Sequence, residues 1–512
     1  MPLLNSPKSA PIFPSHSAVG GTLTQARQVF MPQGYRLKFR AQSPTGLDKI
    51  RNLPMIRRMT KTIAPLQLLQ TFRHKLLGVF PRRADALFEL IDALLLTVDP
   101  RSPVELSRSP AFRRRFSMVY DAMQHGQVDP ELARQLLAEA EPAEALIIAG
   151  CAVYGVDTTI DPRPGAETLP DRSQVYSTSQ KKSVPGHQSS WLGRIVSQAP
   201  AWFAPRDLER VSSRDTPAGV AARQVLRLAA TLVVVGVLNV VVADSGYAKA
   251  PFLAAFVGLT SLCVLVRLPC NRVLYGAPPA PVINPKTGKR AKKGRPPEHG
   301  AKFRLQTPPA PERHIEFPLP LGKGAVRVSA WGQLHFKELA RLVGTVVRVE
   351  FFTPDGQPKY RRPLWLFWSG PSSVPLEVLC QMYLARFGIE HFFRFAKQRL
   401  GLLCAKSPTL QACENWLWVV ALAYTQLLLA RSLVKAMPRP WDKSPRDPQQ
   451  PLTAGQVQRA WPTFSLSLGT PTSAPGPSGK APGRADGFHP QPRPQQPVVS
   501  KKRQYQAATA AA

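Results

Sequence analysis

Acid is what this sequence is short of. It carries 32 Asp and Glu against 67 Lys and Arg, a formal net charge of +35 over 512 residues. An excess that large argues for a polyanionic partner. Charge alone does not separate DNA from RNA or from a membrane surface. Cysteine is scarce too: the six thiols include no Cys-x-x-Cys pair and no His at zinc spacing. That excludes a disulfide scaffold and a zinc finger and leaves reduced, buried thiols of a cytosolic protein. Runs long enough to cross a bilayer are missing. The two greasiest stretches, Thr231–Tyr247 and Pro251–Val266, are about 15 residues each, below the ~18–20 a spanning helix needs. Asn239 interrupts the first, and Asp244 and Lys249 would sit between them. No compact apolar segment follows a basic start, so no secretory signal is expected. The expectation is a cytoplasmic chain with no membrane association and, at this length, two or three domains.

Against that shortage, the placement of three acids stands out. Residues 145–157 read ALIIAGCAVYGVD, an apolar run ending in Asp157 and followed by Thr158, Thr159, Asp161 and Pro162. A buried strand leading into a turn is the plain reading. Asp161 and Asp171 compete with Asp157, which is preferred because it directly follows the run. An Asp ending a strand is also commonplace. The second run, TLVVVGVLNVVVADSGY, ends in Asp244-Ser245-Gly246-Tyr247, where Gly permits a sharp exit. Its Val repeats suit a buried strand.

The third acid lies in VLCQMYLARFGIEHFFRFAKQRLGL, Val378 to Leu402, a proline-free stretch with Gly401 as a helix stop. At 100° per residue, with Tyr383 at zero, Arg386 falls near ~300°, Glu390 near ~340°, Lys397 near ~320° and Arg394 near ~20°. The five share a stripe roughly 80° wide. Met382, Leu384, Phe387, Ile389, Phe392, Phe393 and Phe395 make the rest apolar. A helix this greasy turns its single polar stripe towards a cleft. The bland alternative is a solvated stripe held by the i,i+4 pairs Arg386–Glu390 and Glu390–Arg394. Two strand acids and a helix acid are also the donors that a two-metal phosphoryl-transfer site requires.

The spacing Tyr383-x2-Arg386-x3-Glu390-x6-Lys397 resembles the Tyr–Arg–Glu–Lys signature of bacterial cut-and-paste insertion-sequence transposases of the DDE type. ALIIAGCAVYGVD and Asp244-x-Gly246-Tyr247 resemble that group's first and second acid motifs, and ENWLWVVALAYTQLLLARSLV its C-terminal helix. The resemblance covers roughly residues 60–440. It implies an RNase H-like α/β core interrupted by a β-rich insertion. Asp157, Asp244 and Glu390 would be the catalytic carboxylates, holding two Mg2+ ions, with Mn2+ able to substitute. Tyr383, Arg386 and Lys397 would contact transposon-end DNA, and Arg394 joins them from the helical stripe. Partners would be transposon-end and target DNA, and a homodimer would pair the ends. The setting would be a bacterial cytoplasm, nucleoid-associated when DNA is bound.

The remaining sequence divides accordingly. Residues 1–50 are read as a disordered N-terminal segment rich in Pro, Ser and Gly. Residues 55–145 form a small helical domain for gripping DNA ends, with PRRADALFELIDALLLTV helical, Arg113–Arg115 in a row, and Asp129-Pro130 starting a helix. The core runs 146–275 and resumes at 373–436. Between them, 276–372 is the β-rich insertion, with AVRVSAW, GTVVRVEFF and PLWLFWSG as strands and a basic loop over 286–304. Residues 437–512, with the Lys501-Lys502-Arg503 cluster, read as a Pro-rich disordered basic tail. A catalytically silent DNA-binding derivative and a metal-dependent nuclease of the same fold are the rival classes.

Overall fold

The computed structural model describes residues 64–500, except 233–235, 281–284, 286–287, 289–296, 320–323, 443–449, 478–482 and 484. The N-terminal segment 1–50, most of the basic loop and the Lys501–Arg503 cluster therefore lie outside the described residues. Five helices open the described chain: α1 (Pro65–Gly78), α2 (Ala84–Leu96), α3 (Pro103–Leu106), α4 (Ser117–His125) and α5 (Pro130–Glu139). The apolar stripe of α2 is buried from Ala86 to Leu95. Asp129 caps α5 by accepting the amides of Glu131 and Leu132, with Pro130 at the first position.

Strands follow: β1 (Ile147–Ile148), β2 (Cys151–Pro162), β3 (Ser173–Ser177), β4 (Lys182–Gln198) and β5 (Ala201–Arg210). Two expectations are corrected here. Residues 145–157 are not one strand, because Ala149 and Gly150, both at positive φ, reverse the chain between Ile148 and Cys151. Nor does β2 end at Asp157. The β-branched Thr158, Thr159 and Ile160 stay extended and pair with β4 as far as Pro162–Gly186.

Helix α6 (Pro217–Thr231), capped by Thr216, takes the start of the second apolar run, and β6 (Leu238–Ala243) its end. Next come α7 (Ala250–Leu253), β7 (Leu262–Arg267), β8 (Val273–Tyr275), β9 (Lys302–Arg304), β10 (Arg313–Pro318), β11 (Ala325–Phe336), β12 (Leu339–Phe352) and β13 (Leu364–Trp368). The described chain closes with α8 (Leu376–Ala385), α9 (Phe387–Gln398), α10 (Leu410–Ala430) and α11 (Ala454–Ser465).

All thirteen strands join one mixed sheet, ordered β3-β4-β2-β6-β7-β13-β12-β11-β8-β9, with β1 on β2, β5 on β4 and β10 on β11. β2, β6 and β7 run parallel, and the other pairings are antiparallel. The stretch 276–372 is β-rich, as read from its sequence. It does not close into a sheet of its own but extends the core sheet where β13 pairs with β7.

Strand alternation divides the core between two faces. Val153, Val240 and Val242 point to one face, with α8, α9 and α10; Ala152, Tyr154, Val241 and Ala243 point to the other, with α6 and α7. Both faces are covered, which is why these strands are almost continuously apolar. Helix α10 is buried on every side from Trp418 to Ala430. It packs on α1, α2, α4, α5 and β5, so the N-terminal helices share one core with the sheet.

The tail also departs from expectation. Residues 452–473 fold. Leu452, Val457, Ala460 and Trp461 recur at helical spacing and are buried, and Thr453 with Gln456 forms a capping box. The Leu452 carbonyl accepts the Trp202 indole N–H at 2.8 Å. Arg73 pairs with Asp92 at 2.7 Å and donates to the Gly469 carbonyl. Arg113, within the helical stretch read from the sequence as gripping DNA ends, pairs with the buried Glu89 at 2.8 Å and donates to the Ser473 carbonyl. Proline averaged over the whole tail hides this short amphipathic helix. Replacing Trp461, which is fully buried, by Ala should cost about 3–5 kcal/mol. Denaturant unfolding would measure it, and an unchanged midpoint would mean α11 is not part of the cooperative fold.

Candidate active site

The parallel pairing of β2 with β6 runs from Cys151–Leu238 to Gly155–Val242. Continued two residues, that register sets Asp157 opposite Asp244. Asp157 shares the face of Val153, and Asp244 continues the face of Val240 and Val242, so both acids look towards α8 and α9. Asp244 lies one residue past β6, where its Oδ1 accepts the Gly246 amide at 2.8 Å.

The third acid arrives on α9. That helix packs on β5, β4 and β2, with Phe392 against Trp191, Phe203 and Tyr424. Two glycines allow the approach. A Cβ on Gly155 would stand 3.3 Å from Ile195 and 3.7 Å from Ile389, and one on Gly388 would stand 3.2 Å from Ile195. Two residues beyond Gly155 on the same face, Asp157 meets the polar stripe.

Arg386 joins the acids. Its Nη1 lies 3.2 Å from Asp157 Oδ2 and its Nη2 lies 2.6 Å from Glu390 Oε1. The second oxygen of Asp157 accepts the Thr158 amide at 2.8 Å. Burial, together with the charges of Asp244 and Glu390, pushes the Asp157 carboxyl up to about 7, although Arg386 and the Thr158 amide pull it down. The three carboxylates are thus close enough to repel one another. Tyr247 is buried beside the strand acids; burial first, then the charges of Asp157 and Asp244, hold its hydroxyl well above the usual range.

The other residues of the stripe divide. Arg394 is exposed. Lys397 is half-buried; burial lowers its pKa, while Asp157 and Asp161 act in the opposite direction. Tyr383 and Arg386, expected to contact DNA, are only 4% and 7% exposed. Helices α8 and α9 meet at Arg386, whose side chain is turned to the acids. Arg386 also lies 5.7 Å from the ring centroids of Tyr383 and Phe387. The competing acids are otherwise engaged. Asp161 pairs with Arg163 and Lys406, and Asp171 is held by Arg210 and the Ser213 amide. Sequence reading gave no role to Gly155 or Gly388 and named Tyr247 only as part of the Asp244-x-Gly246-Tyr247 motif. A lone glycine inside an apolar strand run was the available signal for Gly155.

Among the described residues no three His, Cys, Asp or Glu side chains form a ready-made metal cage. The donor chemistry nevertheless fits a hard divalent cation. All three acids offer carboxylate oxygens, and Asp244 Oδ2 and Glu390 Oε2 have no hydrogen-bond partner among the described residues. Mutually repelling carboxylates also favour a bound cation.

A mixed sheet that presents two strand acids to one helix acid is the pattern of a metal-dependent nuclease or transposase. The chain belongs to the DDE superfamily endonucleases, whose family model matches residues 75–335, just over half of the chain. The match includes Asp157 and Asp244 and ends before Glu390. No curated protein matches the sequence.

Two outcomes test the geometry. With the Asp157 carboxyl pushed up to about 7, a divalent cation competes increasingly with its proton as pH falls through that value. Cation affinity should fall by up to tenfold per pH unit below about 7, and the dependence should flatten in Asp157→Asn. Calorimetric titration with Mn2+ at pH 6, 7 and 8 would show it; equal affinities would refute it. Gly155→Val should push α9 off β2, at a cost of about 1–3 kcal/mol. Mn2+ affinity should drop with it, and an unchanged affinity would show that the close packing does not set the position of Glu390.

Proposed function

We propose that this chain is a DNA transposase that binds the ends of an insertion sequence and catalyses strand cleavage and strand transfer. The observation carrying this reading is the convergence of Asp157, Asp244 and Glu390 on one sheet face, within a chain of net charge +35. An RNase H-like core is supported by the strand order: antiparallel β5, β4 and β2 continue into parallel β6 and β7. The Tyr383–Arg386–Glu390–Lys397 spacing supports the insertion-sequence group in particular.

Asp157, Asp244 and Glu390 would hold two Mg2+ ions, or Mn2+ in their place. These supply activation of the attacking oxygen and neutralisation of the leaving oxygen. Water attacks the phosphodiester at the element end; one P–O bond forms, one breaks, and a 3′-hydroxyl is released. That hydroxyl then attacks a target phosphodiester with the same exchange of bonds. Arg394, exposed on the stripe, and Lys397, at the edge of the acids, hold the DNA backbone in register. Two copies of the chain would bring two ends together. No helix among the described residues is long and apolar enough to cross a membrane; the proposed setting is the bacterial cytoplasm and nucleoid.

A second reading has one observation in its favour: the matching family is described by its endonuclease activity alone. A nuclease would cut and not join. Purified protein mixed with Mg2+ and DNA carrying the element's own ends should cleave at the ends and join them to a target. Asp157→Asn, Asp244→Asn and Glu390→Gln should each lose at least about a hundredfold in rate while retaining end binding. Cleavage without joining would favour the nuclease, and binding without cleavage by the unmutated chain a regulatory derivative. Normal cutting by any one variant would remove that acid from the site.

A further inference from the structure

We propose that Arg386 is the built-in counter-cation of the acidic site: it holds Asp157 and Glu390 together and competes with divalent cations for their oxygens. This rests on the reading of those acids as cation ligands and goes beyond it. Three observations carry the inference. Arg386 is 7% exposed, and the two terminal nitrogens of its guanidinium reach one oxygen on each acid, at 3.2 Å and 2.6 Å. The acids come from different elements, a strand and a helix 233 positions apart in sequence, so Arg386 is the tie between them. It also sits at the joint of α8 and α9, where the Arg386 amide bonds the Tyr383 carbonyl and the Ile389 amide bonds the Arg386 carbonyl. Those i→i−3 bonds replace the regular ladder at the one residue that carries the tie.

The physical argument concerns charge. Three carboxylates on one partly buried face repel one another, and a fixed positive charge among them offsets that cost. A planar fork can do this for two acids at once, whereas an ammonium is a point charge. The same fork occupies Asp157 Oδ2 and Glu390 Oε1, so a cation seeking those atoms must displace it. Arg386 is therefore a positioning residue, shielded from DNA by its burial.

The test compares Arg386→Gln and Arg386→Lys with the unmutated full-length chain in three measurements: calorimetric titration with Mn2+ in the absence of DNA, thermal unfolding in EDTA and with Mn2+, and affinity for end DNA in EDTA. Removing one unit charge at contact distance from two carboxylates should tighten Mn2+ binding by about tenfold or more. The melting temperature of Arg386→Gln should fall in EDTA and recover when Mn2+ is added. DNA affinity in EDTA should stay within about twofold, and Arg386→Lys should fall between the two in Mn2+ affinity. A DNA-contacting arginine would give the reverse: unchanged Mn2+ affinity, weakened DNA binding, and rescue by Lys. That pattern, or weakened Mn2+ binding, would overturn the proposal. So would a chain that folds with neither substitution even in Mn2+, since Arg386 would then be a core residue. If the unmutated chain bound no Mn2+, the reading of the acids as cation ligands would fail first, and the two failures are distinguishable.

Discussion

Like charges gathered on one partly buried face are the constraint around which the candidate site is organised. Two carboxylates on neighbouring parallel strands stand at one level because β2 and β6 pair in a fixed register, and a third is brought over them by a helix. Mutual repulsion of such groups is of order a few kcal/mol where the effective dielectric is near 20. A site of this kind persists only if the scaffold resists the acids' tendency to separate. The strands resist it through a ladder buried on both faces, where a slip of one residue would turn every side chain to the wrong layer. The helix has no such ladder to the sheet and depends on packing and on Arg386.

That dependence explains why so much structure remote from the acids matters. Helix α9 is seated by Gly155 and Gly388, whose missing side chains let Ile389 and Ile195 close the gap. Its outer aromatic residues, Phe392 and Phe395, lean on Tyr424 of α10. Helix α10 is in turn enclosed by the N-terminal helices, and Arg73 ties α1 to Gln426 of α10 and to Gly469 of the C-terminal segment. Asn415 adds two bonds to carbonyls of Met123 and Gly126. Glu390 is thus held by a chain of contacts extending from the sheet to the tail. Packed interiors transmit displacement because they have few voids to absorb it.

The site was legible in the sequence to the extent that periodicity carried it. Asp244 and Glu390 could be placed because a Val-rich run and a 3.6-residue stripe are local signals. Asp157 was found for a partly mistaken reason: the strand does not end there but runs on through Thr158 and Thr159. The turn at Ala149-Gly150 was missed because one of its two left-handed positions is an alanine, which gives no warning. What the stripe could not convey was depth. Tyr383 and Arg386 occupy the angular sector of Glu390, yet they are 4% and 7% exposed while the Glu390 side chain is 40% exposed. A helical wheel gives direction around an axis and carries no information about what the facing element covers. Likewise, the strands of 276–372 were visible as strands, but their fusion with β7 was not, because pairing partners are set by tertiary contacts. The tail was misread because proline content averaged over a long segment outweighs twelve residues of good amphipathic helix.

The surplus of basic residues gains a second meaning from the same geometry. Every ion pair consumes one charge of each sign, so the excess of 35 survives all internal pairing and is still presented to a polyanion. Within the fold, however, the scarce acids are met almost wholly by arginine: Arg73 with Asp92, Arg113 with Glu89, Arg134 and Arg227 with Asp207, Arg210 with Asp171 and Glu414. Arginine suits buried pairing because its planar fork satisfies two oxygens at once and is more weakly hydrated than an ammonium. Those properties equally suit it to phosphate. A motif arginine such as Arg386 therefore fits either role from its sequence alone, since a carboxylate pair and a phosphodiester offer similar oxygens. Access decides between them, and in this fold Arg386 is 7% exposed and paired with two acids.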